Sequence, residues 1–253
     1  MRVDGLLVVV DGPVHRLPAQ TKVVALLALV TVVVLTPSGA WPVLAGHGLL
    51  VLGTVVAARL PARVVARRML VETPFVVFAL AMPFVADGPR TALGPLTVSE
   101  AGVVGGVTLL AKATIGVLAA VVLGATTGSR ELLAGLERLR LPAALVAILA
   151  FMLRYVVVIA EELRRTEVAR LARGGGTGPR TRLAAVAGGV GTRFVRTYER
   201  GERVQHAMLA RGYTGRMPAL AAGGAAGRHW VGTLALPTAA LAVLLAGRVL
   251  GWT

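Results

Sequence analysis

The chain contains no cysteine, which rules out a disulfide framework, thiolate chemistry and thiolate metal ligation, and leaves the redox compartment undetermined. Aromatic residues are 4% of its 253 positions, too few for the stacking platforms that hold single-stranded nucleic acid. Acids are scarce: 12 Asp and Glu face 27 Lys and Arg, for a net charge of +15. That balance suits either nucleic acid or a membrane surface, and the distribution of the charges must decide between them. His15, His47, His206 and His229 are isolated from one another and from acids at ligand spacing, so no metal site is expected. No Ser/His/Asp set, carboxylate pair or Cys/His pair stands at a credible spacing, and no cofactor is called for. The stretch Gly174-Gly-Gly-Thr-Gly-Pro-Arg-Thr181 has no lysine, contains Pro179 and lacks the spacing of a phosphate-binding loop. It reads as a flexible connector, and the chain is not expected to bind ATP by itself.

Long apolar runs are abundant. Hydrophobic residues reach 56% and the mean hydropathy is +0.76, too apolar for an ordinary soluble domain of this size. Four runs, at about 22–36, 43–58, 69–86 and 101–124, are expected to span a bilayer, followed by a last span from Trp230 to Leu250. Pro74 and Pro83 should kink or end the third. Arg59, Arg63, Arg67 and Arg68 crowd the loop before it, which the positive-inside rule places in the cytoplasm; Glu72 is expected to pair with Arg67 or Arg68. The linker Asp87–Glu100, with one arginine and two acids, reads as external. Lys112 falls in mid-span, and its expected role is a polar contact with a neighbouring helix or subunit. Met1–Arg16 lacks a basic segment followed by an A-x-A site, so no cleaved signal is expected.

Pro142 to Ala160 is long enough to cross, yet Arg130, Arg138 and Arg140 precede it and 13 Arg against 5 Glu follow within 161–228. A single crossing would put one of these basic regions outside. The segment is therefore expected to lie in or along the inner face, re-entrant or interfacial, an arrangement that Arg154 also favours. The expected organisation is an N-terminal transmembrane domain (1–128), a cytoplasmic coupling-helix domain (129–228) and a C-terminal transmembrane helix (229–253) ending outside. The fold class is all-α: a polytopic membrane protein of about five transmembrane helices, with long cytoplasmic or interfacial helices inserted before the last span.

Within the basic region one helix should run to Arg173 on the stripe Ile148, Met152, Tyr155, Ile159, Leu163 and Thr166. A second should end at Arg211 with the stripe Phe194, Tyr198, Gly201, Gln205 and Met208. Gly201 in mid-stripe costs about 1 kcal/mol of helix propensity, which a close crossing of the two helices there would offset. Each helix ends in the same tripeptide, Ala172-Arg173-Gly174 and Ala210-Arg211-Gly212. One Arg-Gly pair is ordinary helix-end chemistry, with a cation at the negative pole and glycine as the cap. Two copies 38 residues apart (173 to 211), each with a slim alanine, point to docking tips that grip another protein.

The string Tyr198-Glu-Arg-Gly-Glu-Arg-Val-Gln-His-Ala-Met-Leu-Ala-Arg-Gly-Tyr213, the earlier Ala172-Arg-Gly174 and the segment Leu133 to Pro142 resemble the transmembrane (T) component of energy-coupling factor (ECF) transporters, in its cobalt-type CbiQ branch. Leu17-Pro-Ala-Gln-Thr-Lys22 departs from the family's L-D-P-R-T-K, keeping Leu17, Thr21 and Lys22. The resemblance implies that the two Ala-Arg-Gly tips dock on a pair of ATP-binding cassette ATPase subunits. It also implies that a separate membrane (S) subunit captures the substrate and that the chain itself is no enzyme. Family likeness favours cobalt or nickel as cargo, with biotin or another vitamin as the alternative. A secondary carrier would want paired intramembrane charges or repeated broken helices. A nucleic-acid binder would want more lysine and aromatics. The expected partners are therefore two ATPases, the S subunit and the lipid bilayer, with no nucleic acid.

Overall fold

A computed structural model describes residues 12–93, 96–176, 178–215 and 225–252. Asp4 and Asp11, Thr177 of the glycine-rich connector and residues 216–224 before the last helix lie outside the described residues. The element order is α1 (Ala19–Leu35), α2 (Trp41–Ala57), α3 (Ala62–Met69), a 3-10 turn (Leu70–Glu72) and α4 (Thr73–Val85). After these come β1 (Arg90–Leu93), β2 (Leu96–Ser99), α5 (Glu100–Thr126), α6 (Ser129–Arg138), α7 (Ala143–Ala172), α8 (Pro179–Ala210) and α9 (Gly227–Val249). The chain is an all-α polytopic membrane protein. The linker between α4 and α5 adds a small antiparallel hairpin, pairing Arg90 with Ser99 and Leu93 with Leu96.

Among the described residues, four helices are long and apolar enough to cross a membrane: Ala62–Val85, Glu100–Thr126, Ala143–Ala172 and Gly227–Val249. Helices α1 and α2 have 17 residues each, about 25 Å at 1.5 Å per residue, the short end of the spanning range. The third span starts earlier than its apolar run, at Ala62, and carries Arg63, Arg67 and Arg68 on its first turns. Proline shapes it as expected. Pro74 sits in the first turn of α4, after the 3-10 turn, and the helix stops two residues beyond Pro83.

Two compact units divide the described residues: one runs from Arg140 up to residue 215, and the other joins the residues before Arg140 to α9. In the larger unit α5 packs against α1, α2 and α4, while α9 packs against α1 and α2. Leu29, Val33, Val43, Val51, Ile115 and Leu244 fill the centre of this bundle. Small residues bring the backbones close, as membrane helices require when lipid is as apolar as leucine. A Cβ on Gly102 would come 2.5 Å from the Met82 carbonyl oxygen, and one on Gly106 2.6 Å from that of Ala79. This one-turn glycine pair seats α5 directly on the α4 backbone. Gly135 does the same for α6, where a Cβ would lie 2.8 Å from the Gln20 nitrogen on α1. Helix α6, grouped from sequence with the coupling helices, therefore packs on the transmembrane bundle.

The smaller unit holds α7 and α8. Helix α7 is one continuous helix of 30 residues, about 45 Å long, with no break between Ala143 and Ala172. Of the placements expected for 142–160, the re-entrant one is disfavoured by this continuous helix. No glycine or proline interrupts the segment, so nothing in it supplies the turn that a re-entrant loop needs.

Candidate docking tips and their supports

The two Ala-Arg-Gly copies adopt the same backbone. Arg173 closes α7 with φ −91° and ψ 16°, and Arg211 closes α8 with φ −94° and ψ 13°. Gly174 and Gly212 follow with φ of 79° and 81°, left-handed values that a side chain tolerates poorly. Each end then makes the same pair of reverse hydrogen bonds. At the first tip the Gly174 and Gly175 amides donate to the Leu171 and Arg170 carbonyls, both at 3.0 Å. At the second the Gly212 and Tyr213 amides donate to Leu209 and Met208, again both at 3.0 Å. These are Schellman caps, which satisfy the last carbonyls internally. The arginine side chain is then not needed to cap its own helix and is free to project.

Charge pairing sharpens the contrast. Glu161 accepts from Arg164 at 2.8 Å and from Arg165 at 3.1 Å, and Glu167 accepts from Arg170 at 3.0 Å. Glu199 meets Arg203 at 3.7 Å, one turn further along α8. The two arginines on Glu161, beyond the apolar half of α7, pull its carboxyl down to about 2. Arg170 also donates to the Gly176 carbonyl at 2.7 Å, fastening the connector behind the first tip. Acids thus go to arginines on the helix shafts. Among the described residues, the exposed side chains of Arg173 and Arg211 make no hydrogen bond or ion pair.

The crossing expected at Gly201 takes a different form. A Cβ there would meet nothing within 4 Å. Helices α7 and α8 meet instead through the neighbouring residue: Arg200 donates to Glu162 at 3.1 Å. Two long side chains bridge the helices and hold the backbones apart, beside a cleft of about 590 Å³ lined by Arg154, Tyr155, Glu161 and Arg165. Of the predicted stripe, Tyr198 is 61% exposed, Gln205 is exposed and Met208 is half-buried. Ile148, Met152 and Leu163 on α7 are exposed too. Both apolar stripes are helical, as the spacing predicts, but this chain alone does not cover them.

A second set of polar residues lies in the larger unit. Lys22 is 7% exposed, and its Nζ donates to the Thr126 carbonyl at 3.0 Å, Thr127 Oγ1 at 3.3 Å and the His15 carbonyl at 3.4 Å. It therefore caps the C-terminus of α5 with a cation, where the helix dipole favours one. Thr21, fully buried, accepts from Thr233 of α9 at 3.0 Å and donates to the Pro18 carbonyl. Lys112 reciprocates from the middle of α5, donating to the Val34 and Thr36 carbonyls at 3.0 and 2.6 Å and capping α1. Its neighbour in contact is thus a helix of the same chain. The weight of Thr21 and Lys22 is missed by composition and periodicity. The available signal was their retention in an otherwise altered L-D-P-R-T-K segment. Glu72 corrects another expectation: 5% exposed, it accepts from Thr114 on α5 rather than serving Arg67 or Arg68 at the surface. No group of three or more His, Cys, Asp or Glu able to hold a metal exists among the described residues.

Comparison with known proteins adds an independent line. The family model CbiQ, described as cobalt transport protein, matches residues 11–220. The cobalt transport protein CbiQ of Rhodobacter capsulatus is 29% identical over 198 residues, covering 78% of each chain. The energy-coupling factor transporter transmembrane protein EcfT of Bacillus subtilis is 28% identical over 216 residues, covering 80% of this chain and 81% of the relative. EcfT of Heliobacterium modesticaldum is 29% identical over 180 residues, 67% of each chain. Both signature tripeptides and the Thr21–Lys22 anchor fall inside the family match.

Proposed function

Because the chain belongs to the CbiQ family, we propose that it is the transmembrane coupling subunit of an ECF-type importer, non-catalytic itself and driven by two ATP-binding cassette ATPases. Arg173 and Arg211 are the docking residues, each presented by its alanine and glycine. What supports this reading above all is the pair of identically capped helix ends carrying arginines with no partner among the described residues. An exposed guanidinium offers five donors in a rigid fork, suited to carboxylates or carbonyls in a groove on another protein. ATP-driven closure of the paired ATPases draws the tips together. Helices α7 and α8, tied by Arg200–Glu162, carry that movement toward the substrate-binding S subunit, whose contact covers the apolar stripes around Tyr198 and Met208. The S subunit brings the cargo. Cobalt is the cargo that the family description and the Rhodobacter capsulatus relative's name favour, with nickel, biotin or another vitamin as the alternatives.

In this arrangement residues 140–221 lie on the cytoplasmic side, with the apolar half of α7 along the inner face of the membrane. The arginine-rich charge of 161–228 supports the orientation, since short translocated segments avoid Lys and Arg. The test is co-purification with the cognate ATPases after Arg173→Glu, Arg211→Glu and the double change. Each single variant should retain membrane insertion and recover less ATPase, and the double variant should recover none. Wild-type recovery with the double variant would overturn the docking assignment.

A further inference from the structure

Helix α3 turns a cluster of cations away from the bundle. It packs on α5, with Val65 against the small core of Val55, Leu60 and Val122. Arg63 and Arg67, one turn apart on one face, are exposed, as is Arg59 in the turn before the helix. Among the described residues these three side chains make no hydrogen bond or ion pair. Acids are missing from the neighbourhood in sequence: none stands between Asp11 and Glu72, and Glu72 is buried and bonded by Thr114 of α5. Beyond Arg67 the surface becomes apolar at once. The helix runs through the 3-10 turn into α4, and Leu70, Val71 and Phe78 are all exposed. Arg63, Arg67, Val71 and Phe78 follow one another at steps of four, four and seven residues, which keep to one side of a helix. A pair of free guanidinium groups therefore stands at the head of an exposed hydrocarbon-facing stripe.

We propose that this face binds an anionic phospholipid, its phosphate held between Arg63 and Arg67 with Arg59 adding charge, and one acyl chain lying along Leu70, Val71 and Phe78. Charge complementarity selects the occupant. Two planar forks one turn apart offer donors to a phosphodiester from both sides, and no carboxylate of the neighbouring sequence competes for them. The apolar continuation selects it further. An anion at Arg67 stands at headgroup depth, because the helix that carries it is long and apolar enough to cross the bilayer. From Arg67 to Phe78 the chain rises about 17 Å, close to one leaflet of a hydrocarbon core about 30 Å thick. A groove on a cytoplasmic protein would match the arginines and leave the stripe below them uncovered. A lipid without net charge would do the reverse. The positive-inside rule assigns this end to the cytoplasmic leaflet, whose anionic lipids attract basic segments beside a span. The site lies wholly in the larger unit. It is independent of the docking tips and of the cargo, and it stands or falls separately from them.

Because the chain has no cysteine, a fluorophore can be attached at one chosen position. Ala66→Cys, exposed beside Arg67, reports on the site, and Val85→Cys, exposed at the far end of α4, is the reference. The labelled full chain is reconstituted in dioleoylphosphatidylcholine vesicles containing a small share of nitroxide-labelled phosphatidylglycerol or nitroxide-labelled phosphatidylcholine, and quenching gives the relative affinity of the two lipids. Phosphatidylglycerol should be preferred at position 66 and not at position 85, a comparison that needs no arginine variant. Arg63→Gln and Arg67→Gln should each lower the preference by about fivefold, the weight of one basic side chain at an anionic surface, and the double change should abolish it. Inorganic phosphate at matched ionic strength should leave it intact, and so should assembly with the partner subunits. Equal quenching by the two lipids at position 66, an equal preference at position 85, or an undiminished preference in the folded double variant would each overturn the site. So would displacement by free phosphate, or shielding of position 66 from both lipids by a partner subunit in the assembled transporter.

Discussion

Replacing Gly102 by alanine adds one methyl group at the tightest point of the bundle, and the structure sets the size of the consequence. The new Cβ would stand 2.5 Å from the Met82 carbonyl oxygen and 2.8 Å from Pro83 Cα, where ordinary contact begins near 3.4 Å. The deficit is about 0.9 Å (3.4 minus 2.5). Both obstructing atoms are backbone, so no side chain can rotate away, and α4 must recede as a body. A gap of 0.5–1 Å forfeits about a quarter to a half of each dispersion contact along the interface. Overpacking of this kind costs about 1–3 kcal/mol. At roughly 2–4 °C per kcal/mol for a chain of this size, the unfolding midpoint should fall by about 2–12 °C. Gly106→Ala, with a deficit of about 0.8 Å against the Ala79 carbonyl, should behave alike. The control is on the same helix: Gly116 and Gly124 have nothing within 4 Å of an added Cβ, so alanine there should be neutral or stabilising by up to about 1 kcal/mol. Thermal unfolding of the purified chain in detergent, followed by circular dichroism, reads all four. Equal midpoints for Gly102→Ala and Gly116→Ala would refute the close α4–α5 seat.

Other expectations are as direct. Lys22→Met leaves the Thr126 carbonyl and Thr127 hydroxyl without their cation; at about 1–3 kcal/mol for an abandoned buried polar group, its midpoint should fall further than that of Arg130→Met at the surface. Gly212→Val forces a β-branched residue to φ 81°, a cost of about 1–2 kcal/mol or more, which should fray the second tip and weaken ATPase recovery while the midpoint of the transmembrane bundle holds. Arg200→Ala removes the α7–α8 bridge; ATPase recovery should persist while substrate uptake by the whole transporter falls, and unchanged uptake would argue against transmission through that ion pair.

Apolar runs and breakers were legible in the sequence because they act locally. Pro83 ends α4, and Gly174 and Gly212 take the left-handed caps that their positions predict. Arg59 and Arg140 take the same conformation, at φ 52° and 62°, without the glycine that would have announced it. The sequence left 142–160 open between a re-entrant, an interfacial and a cytoplasmic placement, because counting charges says which side a segment favours, not whether its backbone turns; the unbroken α7 speaks against a re-entrant loop. Long-range polar contacts were the least accessible. Lys22 finds the α5 carbonyl 104 residues away, and Glu72 finds Thr114 at a separation of 42, pairings that no periodicity encodes. Gly201 was assigned a close crossing on propensity alone, whereas Arg200 beside it spans the gap with its own length.

The absence of native cysteine makes the docking claim open to a clean measurement. Single cysteines at Arg173 and Arg211 would be cross-linked, in inverted and right-side-out membrane vesicles carrying the whole transporter, to the cysteine-bearing grooves of the ATPase pair. Both positions should cross-link to an ATPase chain, with yields that change when ATP is added, and an impermeant maleimide should reach them only from the cytoplasmic face. Labelling from the outer face, or ATPase adducts at neither position, would contradict the transmission of ATP-driven motion through these two arginines.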